Sequence, residues 1–313
     1  MRMFSLAIST DHLAHCHAPA MRLANRPLRL AACASVALLT AAVGCAPQDA
    51  APGAPGAAGP GKQSCARGQL ATVARGTLTV GTDKPAYAPW FHDDDPANGK
   101  GFESAVAYAV ARQLGYDKGA VHWQTVPFNN AFAPGAKKFD FDINQISISA
   151  ARKRAVTFSS GYYGVRQAVI ALKGSKAARA KSIADLRRVK LGAQVGSTSL
   201  DVLQDTVRPT QQPAVFQKND LAKSALRNGQ VDAILTDLPT AFYITSAEVK
   251  DAEVVGQFAA TGAPDEQFGL VLDKESRITG CVTAAVDALR KNGTLARLEK
   301  KWLADAVSVP VLK

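Results

Sequence analysis

"KKFDFDINQISISAARKRAVTFSSGYY", Lys137 to Tyr163, joins two habits that chains usually keep apart. Its first half alternates as a buried strand does, yet it carries Asp140, Asp142, Asn144 and Gln145 ahead of a serine series and an arginine. If residues 139–149 run as one strand, Gln145, Ser147 and Ser149 share a face, because alternate side chains point the same way. Arg152 then falls just past them, in the first turn of the next element. An arginine beside hydroxyls suits two-pronged binding of a carboxylate. The plain alternative is a solvated arginine within "ARKR".

Outward from this stretch the chain alternates strand and helix. "TLTVGT" (77–82) reads as a short strand, and "GFESAVAYAVARQLG" (101–115) has helical apolar spacing and stops at a glycine. "VHWQTVPF" (121–128) is the next strand, with a short helix behind it. Between the first strand and helix, "DDDPANGKGF" (93–102) carries an Asn-Gly turn. It lacks the ligand pattern and terminal Glu of a calcium loop, so no metal is expected there. After the quoted stretch the pattern restarts. "QAVIALKG" (167–174) is a strand, Ser182 and Asp185 have capping-box spacing, and "KLGAQVG" (190–196) runs into a helix near "STSLDVLQD". "AVFQ", "DLAKSALRNG", "VDAILTD" and "LPTAFYITSA" follow as strand, helix, strand and helix. "EVVGQFA", "QFGLVLD" and two helices through "GCVTAAVDALRKNG" and "TLARLEKKWL" close the chain. This alternation predicts parallel α/β sheets in two lobes, with a ligand cleft between them.

Several chemistries are excluded because their motifs are missing. There is no Gly-x-Ser-x-Gly elbow, no GxGxxG after the first strand and no Walker loop. "GAQVGSTS" (192–199) lacks the lysine of a phosphate loop. Gly196, Ser197 and Thr198 nonetheless present N–H groups and hydroxyls at a helix start, which suits a small anion such as a carboxylate. Asp237 ends a strand just before a helix, where α/β sheets present ligand-contacting groups. A helix cap is the structural alternative for it.

The 313 residues suffice for two lobes, with 47% hydrophobic and 7% aromatic side chains. Residues 1–44 read as a secretory signal, with Met21 an alternative start: Arg22, Arg26 and Arg29 precede a short apolar run with a small-residue end. The run is too short for a membrane span. It ends in "AVGC", which resembles the lipobox of bacterial lipoproteins, where Cys45 would carry the lipid. That pattern usually has Leu where Ala42 stands, and ordinary cleavage nearby is the alternative. Residues 45–64 are Pro/Gly/Ala-rich and read as a flexible linker. Of five cysteines, Cys65 and Cys281 remain beyond the leader and Cys45. In an oxidising compartment they form either a disulfide closing more than 200 residues or two separate buried thiols. The net charge of +11 is spread without an aromatic-interleaved stripe, so nucleic acid is not an expected partner. A solvated basic face, attracted to anionic lipid or wall polymer, is the expectation instead.

Seven blocks, "TLTVGTD", "GFESAVAYAVARQLG", "FDFDINQISISAARKRAVTFSSGYY", "GAQVGSTS", "ALRNGQVDAILTD", "QFGLVLDKES" and "LRKNGTLARLEKKWL", occur in an order that resembles the solute-binding proteins of bacterial polar amino-acid ABC importers. The resemblance runs from about residue 77 to 304. It implies an α/β, two-lobed periplasmic-binding-protein-like fold (type II) that closes on an α-amino acid. Lobe 1 would be 65–167 with 264–313, and lobe 2 would be 168–263, with two crossing segments as hinge. Both cysteines then fall in lobe 1. Arg152 would hold the ligand carboxylate with Thr198, and Asp237 would take the α-ammonium. Ser147 and the backbone at Gln145 match positions that touch the main-chain end of the ligand.

The pattern's usual Pro-Glu is Ala150-Ala151 here, and Gln145 stands where a small residue is common. The side-chain pocket is therefore open to question, with Phe128, Tyr87 and Trp90 as wall candidates and Asp83 and Gln267 as polar readers. Core packing is the alternative for the aromatics. The resemblance further implies a non-enzymatic, extracytoplasmic monomer that needs no cofactor. It would deliver a free amino acid to a separate permease and ATPase, with a lipid anchor holding it at the membrane. Other readings are a sensor for a membrane signalling partner, or a dehydratase-like enzyme with Asp83 or Glu266 as acid or base.

Overall fold

The computed structural model describes residues 65–259, 265–303 and 309–313. The expected signal, the linker and Cys45 lie outside the described residues. The first lobe opens with β1 (Leu78–Thr82), whose apolar residues are almost entirely buried. The chain returns through α1 (Phe102–Gln113) to β2 (Val121–Thr125), then runs through α2 (Phe128–Ala131), β3 (Phe141–Asp142), α3 (Ala150–Lys153) and β4 (Thr157–Gly164). Helix α1 buries nine of the ten positions from Phe102 to Ala111, all but Ala105 and including Glu103, and stops before Gly115 with φ 80°. Small residues make that burial feasible, because Ala and Ser let neighbouring elements approach on every side.

Only two residues of the expected strand 139–149 form one. β3 pairs with β1 and then the backbone turns, with Gln145 at φ 49° and Ser147 making a single bridge to Phe268. The turn has a physical cause. Gln145 gives its N–H to the buried Glu103 carboxylate at 2.8 Å, and the Ser147 carbonyl accepts from the Arg152 guanidinium, so neither group serves a continuous ladder.

The second lobe comprises β5 (Gln167–Leu172), α4 (Ile183–Leu186), β6 (Leu191–Gln194), α5 (Thr198–Asp201), β7 (Ala214–Phe216), α6 (Asn219–Arg227), β8 (Ala233–Asp237), α7 (Leu238–Tyr243) and β9 (Ala252–Phe258). Strands β5 and β8 are covered on both faces, as their unbroken apolar runs require. The Ser182–Asp185 capping box forms, and Ser197 caps α5 by accepting from the N–H of Leu200 at 3.2 Å. The chain then returns to the first lobe as β10 (Gln267–Leu272), α8 (Thr279–Lys291) and α9 (Thr294–Trp302).

Both sheets are mixed rather than parallel. The first has the order β2-β1-β3-β10-β4, with β10 antiparallel to its neighbours. The second includes a last strand, β11 (Val311–Leu312), in the order β11-β9-β5-β8-β6-β7, with β5 antiparallel to β8 and β9. β5 and β10, the first strands after the two crossings between lobes, run antiparallel to both of their neighbours. The end of the chain, expected in lobe 1, instead pairs with β9 and buries Leu312 in the second core. Cys65 and Cys281 stand side by side, Cα to Cα 5.4 Å. Among the described residues no helix is long and apolar enough to cross a membrane.

Phe268 of β10 is fully buried against Trp90, Tyr162 and Tyr163, with ring centroids 5.5–6.3 Å apart. Phe268→Ala should cost about 3–5 kcal/mol. Urea unfolding should show a lower midpoint with an unchanged slope.

Candidate ligand-binding site

The strand ends and helix starts of both lobes meet at a narrow polar cavity. Asp83 follows β1, Gln194 ends β6, Thr236 and Asp237 end β8, and Ser197 and Thr198 start α5. Strand carboxyl ends are where an α/β sheet leaves side chains free of the ladder, so the fold itself gathers polar groups here. Tyr87, Phe128, Asn144, Gln145 and Arg152 complete the lining from the first lobe, and Ser199 and Asn219 from the second. A broader groove adjoins the cavity across Thr198, lined by Ser147, Asp201, Glu266 and Gln267.

Arg152 is not a solvated arginine. It is 8% exposed, and its guanidinium donates to Ser147 O at 2.7 Å and to Gly196 O at 2.9 Å, one carbonyl from each lobe. The rings of Phe132 and Phe128 face it at 4.4 and 5.7 Å. Burial pushes its pKa down to about 10, with Asp201, Glu266 and Asp237 opposing the shift from a distance. Among the described residues it forms no ion pair. A buried cation that spends two donors on carbonyls and faces a cavity is suited to an anionic group. Gly196 allows the approach: its φ is 72°, and a Cβ there would lie 2.2 Å from Asn129 Oδ1.

Asp237 stands at the opposite polarity. It lines the cavity half-buried, and burial, followed by the nearby Glu266 carboxylate, pushes its pKa up to about 7. Its neighbour across the sheet is Gln167, in direct antiparallel register. The Asp237 side chain makes no cap to the α7 backbone, so the helix-cap alternative fails. It accepts a long bond from Thr240 at 3.4 Å, and Thr240 accepts from the indole of Trp90 at 2.8 Å.

The other expected residues divide. Asp83, Tyr87, Phe128, Gln145, Ser197 and Thr198 line the cavity with Arg152 and Asp237. Ser147 lies beside it, in the adjoining groove, hydrogen-bonded to Thr198 at 3.3 Å. Trp90 is not a wall; it is fully buried against Phe102, Tyr163 and Phe268. Gln267 is exposed in the groove rather than aimed into the cavity. Sequence reasoning missed Glu103, which receives the Gln145 side-chain amide and the Tyr162 hydroxyl and so fixes the turn that presents Gln145. It also missed Gln167, Asn144, Gln194 and Asn219. The "RQ" that opens β5, directly opposite "TD", was the available signal for Gln167.

Two α/β lobes that close over a charged cavity, cationic at one end and anionic at the other, define a binding protein for small ionic solutes. The chain belongs to the bacterial extracellular solute-binding proteins, family 3, whose pattern matches residues 78–305. It is 27% identical to the L-cystine-binding protein TcyJ of Escherichia coli over 75% of this chain and 85% of that one. It is 26% identical to the L-arginine-binding protein of Pseudomonas aeruginosa over 76% and 95%. Among solved structures it resembles an ancestral arginine-binding protein bound to arginine, with TM-score 0.61 and 30% identity over 73% of this chain and 98% of that one.

Glu103, like Asp237, has its pKa raised to about 7, chiefly by burial. The folded state therefore holds these protons more tightly than the unfolded chain, and the stability they confer is lost as pH rises through about 7. The ligand-free protein should melt at a lower temperature at pH 8 than at pH 5.5, and Glu103→Gln should shrink that difference in a calorimetric scan.

Proposed function

We propose that this protein captures a polar α-amino acid outside the cytoplasm and delivers it to the membrane permease of an ABC importer. The buried Arg152, without an ion-pair partner among the described residues, carries the reading. An amino acid is a fixed pair of opposite charges, costly to dehydrate unless each end finds a partner. Arg152, with the N–H groups at the start of α5, would take the carboxylate, and Asp237 the ammonium. Each charge-assisted contact gives about 1.5–3 kcal/mol, whereas micromolar binding needs about 8. The remainder would come from Gln145, Ser197, the Phe128 wall and the Asp83–Tyr87 end of the cavity. The cystine, arginine and glutamine binding named for its relatives supports the ligand class.

Lipidation at Cys45 after removal of residues 1–44 would hold the protein at the outer face of the membrane, on the linker 45–64. A Cys65–Cys281 disulfide would pin the start of the folded chain to α8, and an export route to an oxidising compartment favours it. The two lobes, about 65–167 with 264–303 and about 168–259 with the last strand, would hinge at their crossings.

Thermal unfolding against the common amino acids tests the function directly. A true ligand raises the melting temperature in proportion to the logarithm of its excess over the dissociation constant. A shift confined to one or a few amino acids is the expected result, and no shift with any of them, after unfolding and refolding, would overturn the reading. Arg152→Ala should abolish that shift, at a cost of about 3–5 kcal/mol in binding. Retained binding within a few-fold of wild type would remove Arg152 from the site. Below about pH 7 binding should weaken, because Asp237 takes a proton and loses the charge that pairs with the ammonium.

A further inference from the structure

Beside the cavity, the Gln167 amide has more acceptors around it than hydrogens to give. Its Nε2 lies 3.3 Å from Thr198 Oγ1, 3.4 Å from Asp237 Oδ1 and 3.3 Å from each oxygen of Glu266. Its Oε1 accepts from the Ser199 hydroxyl at 2.5 Å, an arrangement that matches nitrogen turned towards the carboxylates. Glu266 also receives the Ser147 hydroxyl at 2.5 Å. Ser147 is the donor in that bond, so its one hydroxyl hydrogen is committed to Glu266. The 3.3 Å contact between Ser147 and Thr198 must then run from the Thr198 hydroxyl to the Ser147 oxygen.

We propose that Glu266 is a positioning residue that sets the direction of this relay, from Thr198 to Ser147 to Glu266, so that both hydroxyls offer lone pairs to the ligand. The inference rests on the cavity being an amino-acid site. It reassigns Thr198 and Ser147: with their hydrogens committed, they accept from the ligand's ammonium beside Asp237, and the carboxylate is left to Arg152 and backbone N–H groups. Glu266 is well placed to act across the hinge. Its backbone carbonyl accepts from Val165 at 3.0 Å, where the chain leaves the first lobe, and its side chain reaches Gln167, where the second lobe begins.

The charge of Glu266 gives a readout that packing alone would not. Asp237 is faced by Glu103 from α1, by Glu266, by Arg152 from α3 and by Tyr162 and Tyr163 from β4. Removing the Glu266 charge should let Asp237 ionise at lower pH.

The experiment compares wild type, Glu266→Gln, Ser147→Ala and the double variant. Carbon-13 carboxyl NMR follows the Asp237 titration in ligand-free protein, and calorimetry follows binding of L-arginine, L-glutamine and L-cystine from pH 5.5 to 8.5. In Glu266→Gln the Asp237 midpoint should fall by about one pH unit. Affinity at pH 8 should drop about tenfold, and adding Ser147→Ala should cost less than about twofold more, because both changes break one relay. An unmoved Asp237 midpoint, or losses that multiply independently, would overturn the proposal. If none of the three amino acids binds wild type, the amino-acid reading loses its support, while the ligand-free titration still decides the placement of Glu266 beside Asp237.

Discussion

The burial of one guanidinium governs much of this molecule. Taking a cation from water is expensive, and Arg152 forms no ion pair among the described residues; Asp201, Glu266 and Asp237 offset that cost only from a distance. Its compensation is assembled from both lobes: a carbonyl at Ser147, a carbonyl at Gly196, and the faces of two phenylalanines. The demand for those carbonyls shapes the backbone around them. The chain leaves β3 after two residues, Gly196 adopts a left-handed conformation, and α3 is capped by Ser149 so that Arg152 points inward. An arginine held in this way is short of charge compensation, which an incoming carboxylate would complete.

The acidic side of the cleft obeys a different logic. The chain as a whole is strongly basic, yet Asp83 and Asp237 line the cavity, and Glu103 and Glu266 stand just behind it. Overall charge acts at long range and is screened by salt, whereas a ligand in the cavity meets only its neighbours. Burial raises the proton affinity of Glu103 and Asp237 to near neutrality, so this acidic half is charged only in part at pH 7. A cationic group entering the site pulls the balance towards ionisation. For a cationic ligand, affinity and proton release would therefore be coupled.

The features legible in the sequence were local. Helix α1 with its glycine stop, the Ser182 capping box and the position of Arg152 after a serine series all come from spacing within a dozen residues. The placement of Asp237 at a strand end came from the same alternation. The features that stayed hidden depend on contacts far apart in the chain. Glu103 reads as a polar position on a surface helix, and only the fold brings it to Gln145, 42 positions away. β4, with its serines, glycine and tyrosines, has register shifts against β10 that blur its alternation. Asp142 ends the two-residue strand β3, and its carboxyl is buried without a partner among the described residues, its pKa driven well above the usual range by that burial. No local rule would have put it inside.

The last strand gives the molecule an unexpected geometry at its ends. Cys65 stands beside α8 in the first lobe, whereas Leu312 is packed in the core of the second and the Lys313 carbonyl accepts from Ile183 at 3.0 Å. Cys65 and Lys313 thus belong to different lobes. Fluorescent reporters placed beside these two positions would ride on opposite jaws. The protein comes with its own attachment points for an optical gauge of its opening and closing.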